Sequence, residues 1–185
     1  MFDRQGNRKY LNGAERRAFL RVAGKEPDAL RRAFCLTLFN TGCRISEALN
    51  VTAGRVDLAN KAVVFETLKR RKTGHFRGVP VPDSLVELLR RVVPQADPSA
   101  RIWTFSRPTA YRLVKDCMAR AGIMGGMASP KGLRHGFAVA CLAQKIPLPT
   151  VQKWLGHARM ETTAIYLEVS GDEERELAKR LWVKS

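Results

Sequence analysis

The sequence has no long hydrophobic segment and few acidic residues. None of its apolar runs approaches the roughly 20 residues that a membrane-spanning helix needs, and residues 1–10 are polar, unlike a signal peptide. Only 17 Asp and Glu accompany 33 Lys and Arg, which gives a formal net charge of +16. We therefore expect a cytoplasmic protein that binds a polyanion. Nucleic acid is the leading candidate, and a membrane surface is the alternative.

Signs of a metal site are also missing. The four cysteines are widely separated and form no C-x-x-C pair, which favours buried free thiols over a zinc site or a disulfide framework. The sequence also has no dense cluster of Asp and Glu that would suit magnesium. We therefore expect neither a metal nor a cofactor.

Length and composition predict one domain. A chain of 185 residues with 45% hydrophobic residues can bury one good core. Internal repeats, low-complexity tracts and convincing linkers are absent. We expect residues 1–10 to form a flexible arm and residues 11–185 to form the domain.

Capping residues and hydrophobic periodicity predict a mainly helical chain with a small antiparallel sheet. Strand-like segments at 62–65 and 79–81 flank a basic turn at 69–74. A short helix is predicted from Arg44 to Asn50, and Gly156 should end another helix. Further helices are expected to begin at polar capping residues, namely Asn12, Asp28, Asp83, Ser106, Ser129 and Ser170.

Several charged residues in these helices suit phosphodiester chemistry. Arg44 and Glu47 lie one turn apart and could hold each other in place. Lys131, Arg134 and His135 share the first turn of a later helix. A guanidinium is a planar fork that can bind two non-bridging phosphate oxygens and stabilise the charge that builds up in the transition state.

Tyr166 is the best candidate nucleophile. A tyrosine with a pKa of about 10 is roughly 0.1% ionised at neutral pH, so it needs a base or cationic neighbours, which His157 and the arginines could provide. Lys72 could protonate the departing 5′ oxygen, because the other cations in 69–72 should lower its pKa. The same run can also be interpreted as an ordinary phosphate-binding patch.

Five segments resemble one known family. They read T-G-C-R-I-S-E-A-L at 41–49, K-T-G-H-F-R-G-V-P-V at 72–81, S-P-K-G-L-R-H-G-F-A at 129–138, L-G-H at 155–157 and T-T-A-I-Y at 162–166. In this order they closely resemble the catalytic domain of the tyrosine recombinases, the phage integrase family. The resemblance implies a mainly α (α+β) domain with a small three-stranded antiparallel sheet. It also implies a reaction that links Tyr166 to a 3′ phosphate of DNA, without metal or ATP.

The resemblance implies a role for each matching residue. Lys131 stands where many members have histidine, so the usual acid/base role is in doubt there, and Lys131 could instead be a fixed charge on the phosphate. His135 is common beside the second catalytic arginine and is expected to be structural. Arg44 and Arg134 match the first and second catalytic arginines, and Glu47 matches the acidic residue that supports the first. Lys72 matches the acid and His157 the residue that contacts the phosphate. Tyr166 matches the nucleophile.

The resemblance also implies double-stranded DNA as partner, with a monomer off DNA and a homotetramer on recombining sites. No core-binding domain fits before residue 11, so an accessory DNA-binding protein is a possible partner. A C-terminal helix at about 171–182 could mediate protomer contacts, or could pack on its own domain. The residues expected to contact DNA are Lys69, Arg70, Arg71, Arg77, Arg107 and Arg112.

Two other functions remain open at this point. A type IB topoisomerase-like relaxase would use nearly the same residues, but as a monomer and without strand exchange. A basic DNA-binding protein derived from an integrase would have no turnover. Every expected catalytic position is filled, including Lys131, which favours the recombinase.

Overall fold

The computed structural model describes residues 3–67, 74–94 and 97–167. The basic run at 69–72 and the expected helix at 171–182 lie outside these ranges. No helix within them is both long and apolar enough to cross a membrane. The helices are α1 (Gly13–Gly24), α2 (Ala29–Thr41), α3 (Ile45–Leu49), α4 (Asp83–Val92), α5 (Arg107–Arg120), α6 (Pro130–Ala143), α7 (Leu148–Leu155) and α8 (Glu161–Ala164), with a 3-10 turn at Ala53–Arg55.

Three strands form a small antiparallel sheet, so the predicted mainly helical α+β fold is confirmed. The strands are β1 (Val56–Asp57), β2 (Ala62–Glu66) and β3 (Phe76–Pro80), in the order β1-β2-β3. Side chains alternate between the two faces of the sheet, and β3 buries Arg77 and Val79 while the other three residues of the strand are exposed. One face of the sheet therefore packs against the helices.

Most of the predicted helix starts are confirmed by their capping contacts. The Asn12 side chain accepts a 2.9 Å hydrogen bond from the Glu15 N–H, and the Glu15 carboxylate accepts one from the Asn12 N–H, which completes a capping box. Asp28 accepts from the first turn of α2 in the same way. Ser106 and Ser129 cap α5 and α6.

The predicted cap at Asp83 is wrong. Pro82 occupies the N-cap position, and Asp83 is the first residue of α4. The Asp83 carboxylate lies 2.8 Å from the Nζ atom of Lys61. The acidic side chain still lies in the first turn, where it interacts favourably with the helix dipole.

The core has two parts, which meet near the candidate site. Helix α2 packs against α1, α4 and α6 in the larger part, where the rings of Trp103 and Phe105 lie nearly perpendicular to the Phe34 ring. The smaller part lies among α6, α7 and the end of α8. It contains buried side chains from α6, from α7, from the segment after α8 and from the N-terminal segment, including Tyr10, Phe137, Val151, Leu155 and Tyr166.

The end of the N-terminal segment contacts the domain. Tyr10 is 3% exposed because its ring fills the smaller part of the core. Arg8 forms a 2.6 Å ion pair with Glu15 of α1 and lies over the Tyr10 ring. Arg8 and Tyr10 therefore contact the domain, while Lys9 between them is exposed.

Candidate active site

Arg134 joins the C-terminal ends of two helices. Its Nη1 atom donates to the carbonyl oxygen of Gly42, which ends α2, and its Nη2 atom donates to that of Leu155, which ends α7, each at 2.8 Å. Carbonyls at the end of a helix lack an intrahelical partner, and the helix dipole favours a cation there. The Arg134 side chain is therefore fixed by the backbone, and its other N–H groups have no hydrogen-bond partner among the described residues.

Gly42 allows this arrangement. It adopts a left-handed conformation with φ of 59°. A Cβ atom at this position would collide with the ring of Phe137 on α6. Helix α6, which carries Arg134, thus packs directly against the turn that accepts its hydrogen bond.

Arg44 is held by Glu47, as the sequence predicted. Its backbone N–H donates to Glu47 Oε2 at 2.9 Å and its Nη1 atom donates to Glu47 Oε1 at 2.6 Å. The Glu47 side chain is fully buried, whereas that of Arg44 is 24% exposed. Arg44 therefore lies at the rim of the site with one side of its guanidinium fixed.

The Glu47 carboxylate and the Arg134 guanidinium are charged at neutral pH. Burial by itself would raise the pKa of Glu47, but the charge and hydrogen bond of Arg77 and the contacts of Arg44 outweigh it, so the pKa lies below its usual value. Burial, and the nearby charge of Arg44, lower the pKa of Arg134 to about 10. The site thus holds a net positive charge.

Tyr166 lies in the same site, three residues after Thr163 of α8. Its side chain is 3% exposed, and its hydroxyl oxygen lies 2.8 Å from the Nδ1 atom of His135. Burial raises the pKa of Tyr166, and the charges of Arg134 and Arg44 oppose this shift. The phenol is therefore protonated at rest and next to a possible proton acceptor.

His157 also lies beside Tyr166. The two rings are stacked, with 6.2 Å between their centroids and 11° between their planes. Gly156, with φ of 65°, ends α7 and places His157 directly after the helix. The His157 Nδ1 atom lies 2.8 Å from the hydroxyl oxygen of buried Thr163, a partner that the sequence analysis missed.

Both histidines are neutral at pH 7. Burial, followed by the charges of Arg134 and Arg44, lowers the pKa of His157 to about 3. Burial, followed by the charge of Lys131, lowers the pKa of His135 to about 4. A neutral imidazole has one donor nitrogen and one acceptor nitrogen, so each ring can accept a proton or donate a hydrogen bond.

The other predicted site residues are more dispersed. Lys131 is exposed in the first turn of α6, close enough to affect the pKa of His135. Arg107 and Arg112 are exposed on α5, and Arg112 lines a groove with Glu26 and Asp116 that shares no residue with the site around Tyr166. Four predicted residues lie outside the described ranges, namely Lys69, Arg70, Arg71 and Lys72.

Arg77 does not lie where the sequence analysis placed it, on a DNA-facing surface. Its side chain is 5% exposed, because the alternation of β3 turns it toward the helices. It donates to the Trp154 carbonyl at 2.8 Å, to the Thr67 hydroxyl at 3.0 Å and to Glu47. The guanidinium is thus used inside the protein. Side chains alternate between the two faces of a strand, and this alternation in β3 could have indicated that Arg77 is buried.

Known proteins resemble this chain over most of its length. A family model described as "Phage integrase family" matches residues 9–173. The chain is 31% identical over 183 residues to the tyrosine recombinase XerA of Pyrococcus furiosus, an alignment that covers 93% of this chain and 61% of that protein. The chain thus spans less than two-thirds of the length of this curated relative.

Solved structures share the fold. A crystal structure of XerA recombinase superposes with a TM-score of 0.76 at 24% identity, over 95% of this chain and 66% of that one. A pre-cleavage complex of the XerH site-specific recombinase bound to its difH substrate superposes with a TM-score of 0.74 at 22% identity, over 98% of this chain and 59% of that one.

Proposed function

Because this chain belongs to the phage integrase family, we propose that it cuts and rejoins DNA as the catalytic part of a site-specific recombinase. The observation that carries the proposal is the position of Tyr166. Its phenol lies beside two neutral histidines, in a site where the charges of Arg44 and Arg134 act on it. A nucleophile and two phosphate-binding groups on one chain support cleavage in cis.

The two arginines bind the scissile phosphate in this proposal. Arg134 has two N–H groups committed to backbone carbonyls, and Arg44 has one committed to Glu47. Their remaining N–H groups donate to the non-bridging oxygens. Because both guanidinium groups are fixed beforehand, they stabilise the developing charge without reorganising during the reaction.

The proposed cleavage step exchanges one phosphoester bond for another. The Tyr166 oxygen forms a bond to phosphorus, the bond from phosphorus to the 5′ oxygen breaks, and a 3′-phosphotyrosyl link and a 5′ hydroxyl result. His135 takes the phenolic proton, and Lys72 gives the 5′ oxygen its proton. Since a bound phosphodiester is negative, it raises the pKa of His135 above its resting value of about 4 and makes it a better base. The link retains the bond energy, so rejoining needs no ATP and no metal.

His157 and Lys131 provide further phosphate contacts. When the Thr163 hydroxyl donates to His157 Nδ1, the proton of the neutral ring lies on Nε2, which can donate to a phosphate oxygen. Lys131 is exposed beside His135 and acts as a fixed charge on the DNA.

Double-stranded DNA is the proposed partner, in the cytoplasm. The relative XerH is bound to its substrate DNA in a solved complex, and this chain carries a net charge of +16. We propose a monomer off DNA and a homotetramer on two recombining sites, with residues 171–182 contacting a neighbouring protomer. A separate DNA-binding protein could assist site recognition.

A covalent-trapping experiment tests the proposal. A nicked suicide substrate, made from the DNA that flanks the gene, is incubated in EDTA with the wild type, with Tyr166→Phe and with Tyr111→Phe. We expect a protein-DNA adduct on a denaturing gel for the wild type and for Tyr111→Phe, whose tyrosine is 45% exposed on α5. Tyr166→Phe should form none. Absence of an adduct from wild-type protein that binds this DNA would contradict the proposal.

Strand exchange then identifies the class of enzyme. Recombinant products from two sites support the recombinase. Relaxation of supercoiled plasmid without any recombinant product would instead indicate a topoisomerase-like enzyme. Binding affinity discriminates poorly between these functions, because phosphate contacts dominate it in each case.

A further inference from the structure

The buried guanidinium of Arg77 connects three elements of the candidate site. It lies on β3 and donates to Glu47 of α3, to the Trp154 carbonyl of α7 and to the Thr67 hydroxyl after β2. We propose that Arg77 is a positioning residue for DNA cleavage, which sets the places of Arg44 and His157 without touching DNA. This inference rests on the proposed function.

The first connection runs through Glu47 to Arg44. Oε2 of Glu47 accepts from both Arg77 and the Arg44 backbone N–H, and Oε1 accepts from the Arg44 guanidinium. The carboxylate is fully buried, so without Arg77 it would keep a charge with one remaining ion-pair partner among the described residues, Arg44. Arg44 would then be drawn inward, away from the rim of the site.

The second connection fixes the turn that ends α7. Consecutive carbonyls, those of Trp154 and Leu155, accept from Arg77 and Arg134. Gly156 packs closely on the Arg77 guanidinium, and a Cβ atom there would lie 2.8 Å from Nη1. His157 is the next residue, so the position of its ring follows from how this turn rests on Arg77.

The third connection anchors Arg77 itself. Its Nη1 atom donates to the Thr67 hydroxyl at 3.0 Å, and its guanidinium lies 5.4 Å from the centre of the Phe65 ring. Each of the three acceptors thus receives a hydrogen bond from a different nitrogen of the planar Arg77 guanidinium. A lysine ammonium is a single point at the end of a flexible chain, so it cannot hold all three acceptors in place.

The test separates the cleavage step from DNA binding. Arg77→Lys keeps the charge, and we expect its single-turnover rate of adduct formation to fall about a hundredfold while its affinity for the same DNA changes by less than about twofold. Arg55→Lys is the matched control. Arg55 also lies beside the sheet and pairs with Glu66, but its side chain is 27% exposed and its hydrogen bonds go to none of the site residues above. Its rate should remain close to that of the wild type.

A second readout does not depend on activity. NMR signals of the imidazole nitrogens in ¹⁵N-labelled protein report the surroundings of His157. We expect Arg77→Lys to shift these signals and Arg55→Lys to leave them in place. Unchanged His157 signals would overturn the inference, whether or not the wild type cleaves DNA.

The kinetic outcomes also distinguish the two proposals. An Arg77→Lys protein that cleaves at the wild-type rate, or whose whole loss lies in DNA affinity, overturns the positioning role and leaves the proposed function intact. No adduct from the wild type contradicts the proposed function. If Arg77→Lys does not fold, Thr67→Val serves instead, because it keeps the side-chain shape and removes one acceptor, with an expected fall in rate of about fivefold.

Discussion

The two histidines beside Tyr166 are neutral for a physical reason that also affects stability. Their rings are mostly buried next to fixed cations, and both effects disfavour the imidazolium. If the His135 imidazole were already protonated, it could not accept the proton of the Tyr166 phenol. The same burial that makes His135 a possible base therefore makes the folded protein sensitive to acid.

The pH dependence of stability should reveal this. Since the pKa of His135 is about 4 in the folded protein and about 6.5 in the unfolded chain, the unfolded chain binds more protons between these values, and stability falls as the pH is lowered. His157 acts in the same direction, toward pH 3. Between pH 7 and 4.5, the wild type should lose about 2 kcal/mol more of its unfolding free energy than His135→Asn.

Urea unfolding at the two pH values measures that difference. Asn is uncharged throughout and places a polar atom near the position of Nδ1, so the titration of the carboxylates cancels between the two proteins. Equal losses for the wild type and His135→Asn would show that His135 is not held neutral by burial.

At the scale of elements, two helix ends position the site. Helices α2 and α7 both end at a left-handed glycine, Gly42 and Gly156, and both direct a terminal carbonyl at Arg134. Each glycine has a second neighbour that leaves no room for a side chain, Phe137 in one case and Arg77 in the other. Backbone conformation and side-chain packing thus act together at both turns.

Comparing Gly42→Ala with Gly122→Ala separates these two effects. Gly122 has φ of 70°, and a Cβ atom added there would meet nothing within 4 Å, so alanine should cost only the left-handed strain of about 1 kcal/mol. Gly42→Ala adds a collision with Phe137 and should cost about 3 kcal/mol in all. Chemical unfolding measures both changes. Equal costs would mean that Phe137 moves aside freely.

The elements were largely predictable because their signals are local. Asn12 with Glu15, and Ser129 with Pro130, predict helix starts from a few neighbouring residues. Asp83 shows the limit, since a proline with extended backbone just before it took the cap position. Such competition between adjacent residues depends on the path by which the chain enters the helix.

The sequence predicted which residues form the site better than it predicted their hydrogen-bond partners. The structure brings together Arg44, Arg134, His157 and Tyr166, as the motifs suggested. Arg77 was expected to contact DNA, yet it donates to residues 30 and 77 positions away in sequence. The alternation of β3 could have indicated that Arg77 is buried, but no local pattern identifies partners that far away in sequence.

At the scale of the whole molecule, charge governs the first encounter with DNA. The net charge of +16 favours any polyanion, whatever its sequence. Some cations are already paired with carboxylates of the protein, among them buried Arg77 and exposed Arg120. The exposed cations should therefore determine how the affinity for DNA depends on salt concentration.

Arg107→Ala tests whether the exposed cations determine the salt dependence of DNA binding. We expect the slope of log affinity against log salt concentration to become shallower by about one unit, nearly equally for different DNA sequences, because one phosphate contact is lost. Arg77→Lys should leave the slope unchanged, since that cation is buried. Fluorescence anisotropy with labelled DNA at several salt concentrations measures both. An unchanged slope for Arg107→Ala would remove it from the DNA-contacting surface.

The use of backbone acceptors has a consequence for how the site can evolve. Arg134 and Arg77 bind the main-chain oxygens of Leu155 and Trp154, which every amino acid provides. The side chains at 154 and 155 can therefore change while both hydrogen bonds persist. Related sequences should keep the arginines without any correlated substitution at their acceptors, so methods that detect contacts through covariation will not find the two bonds that fix this turn.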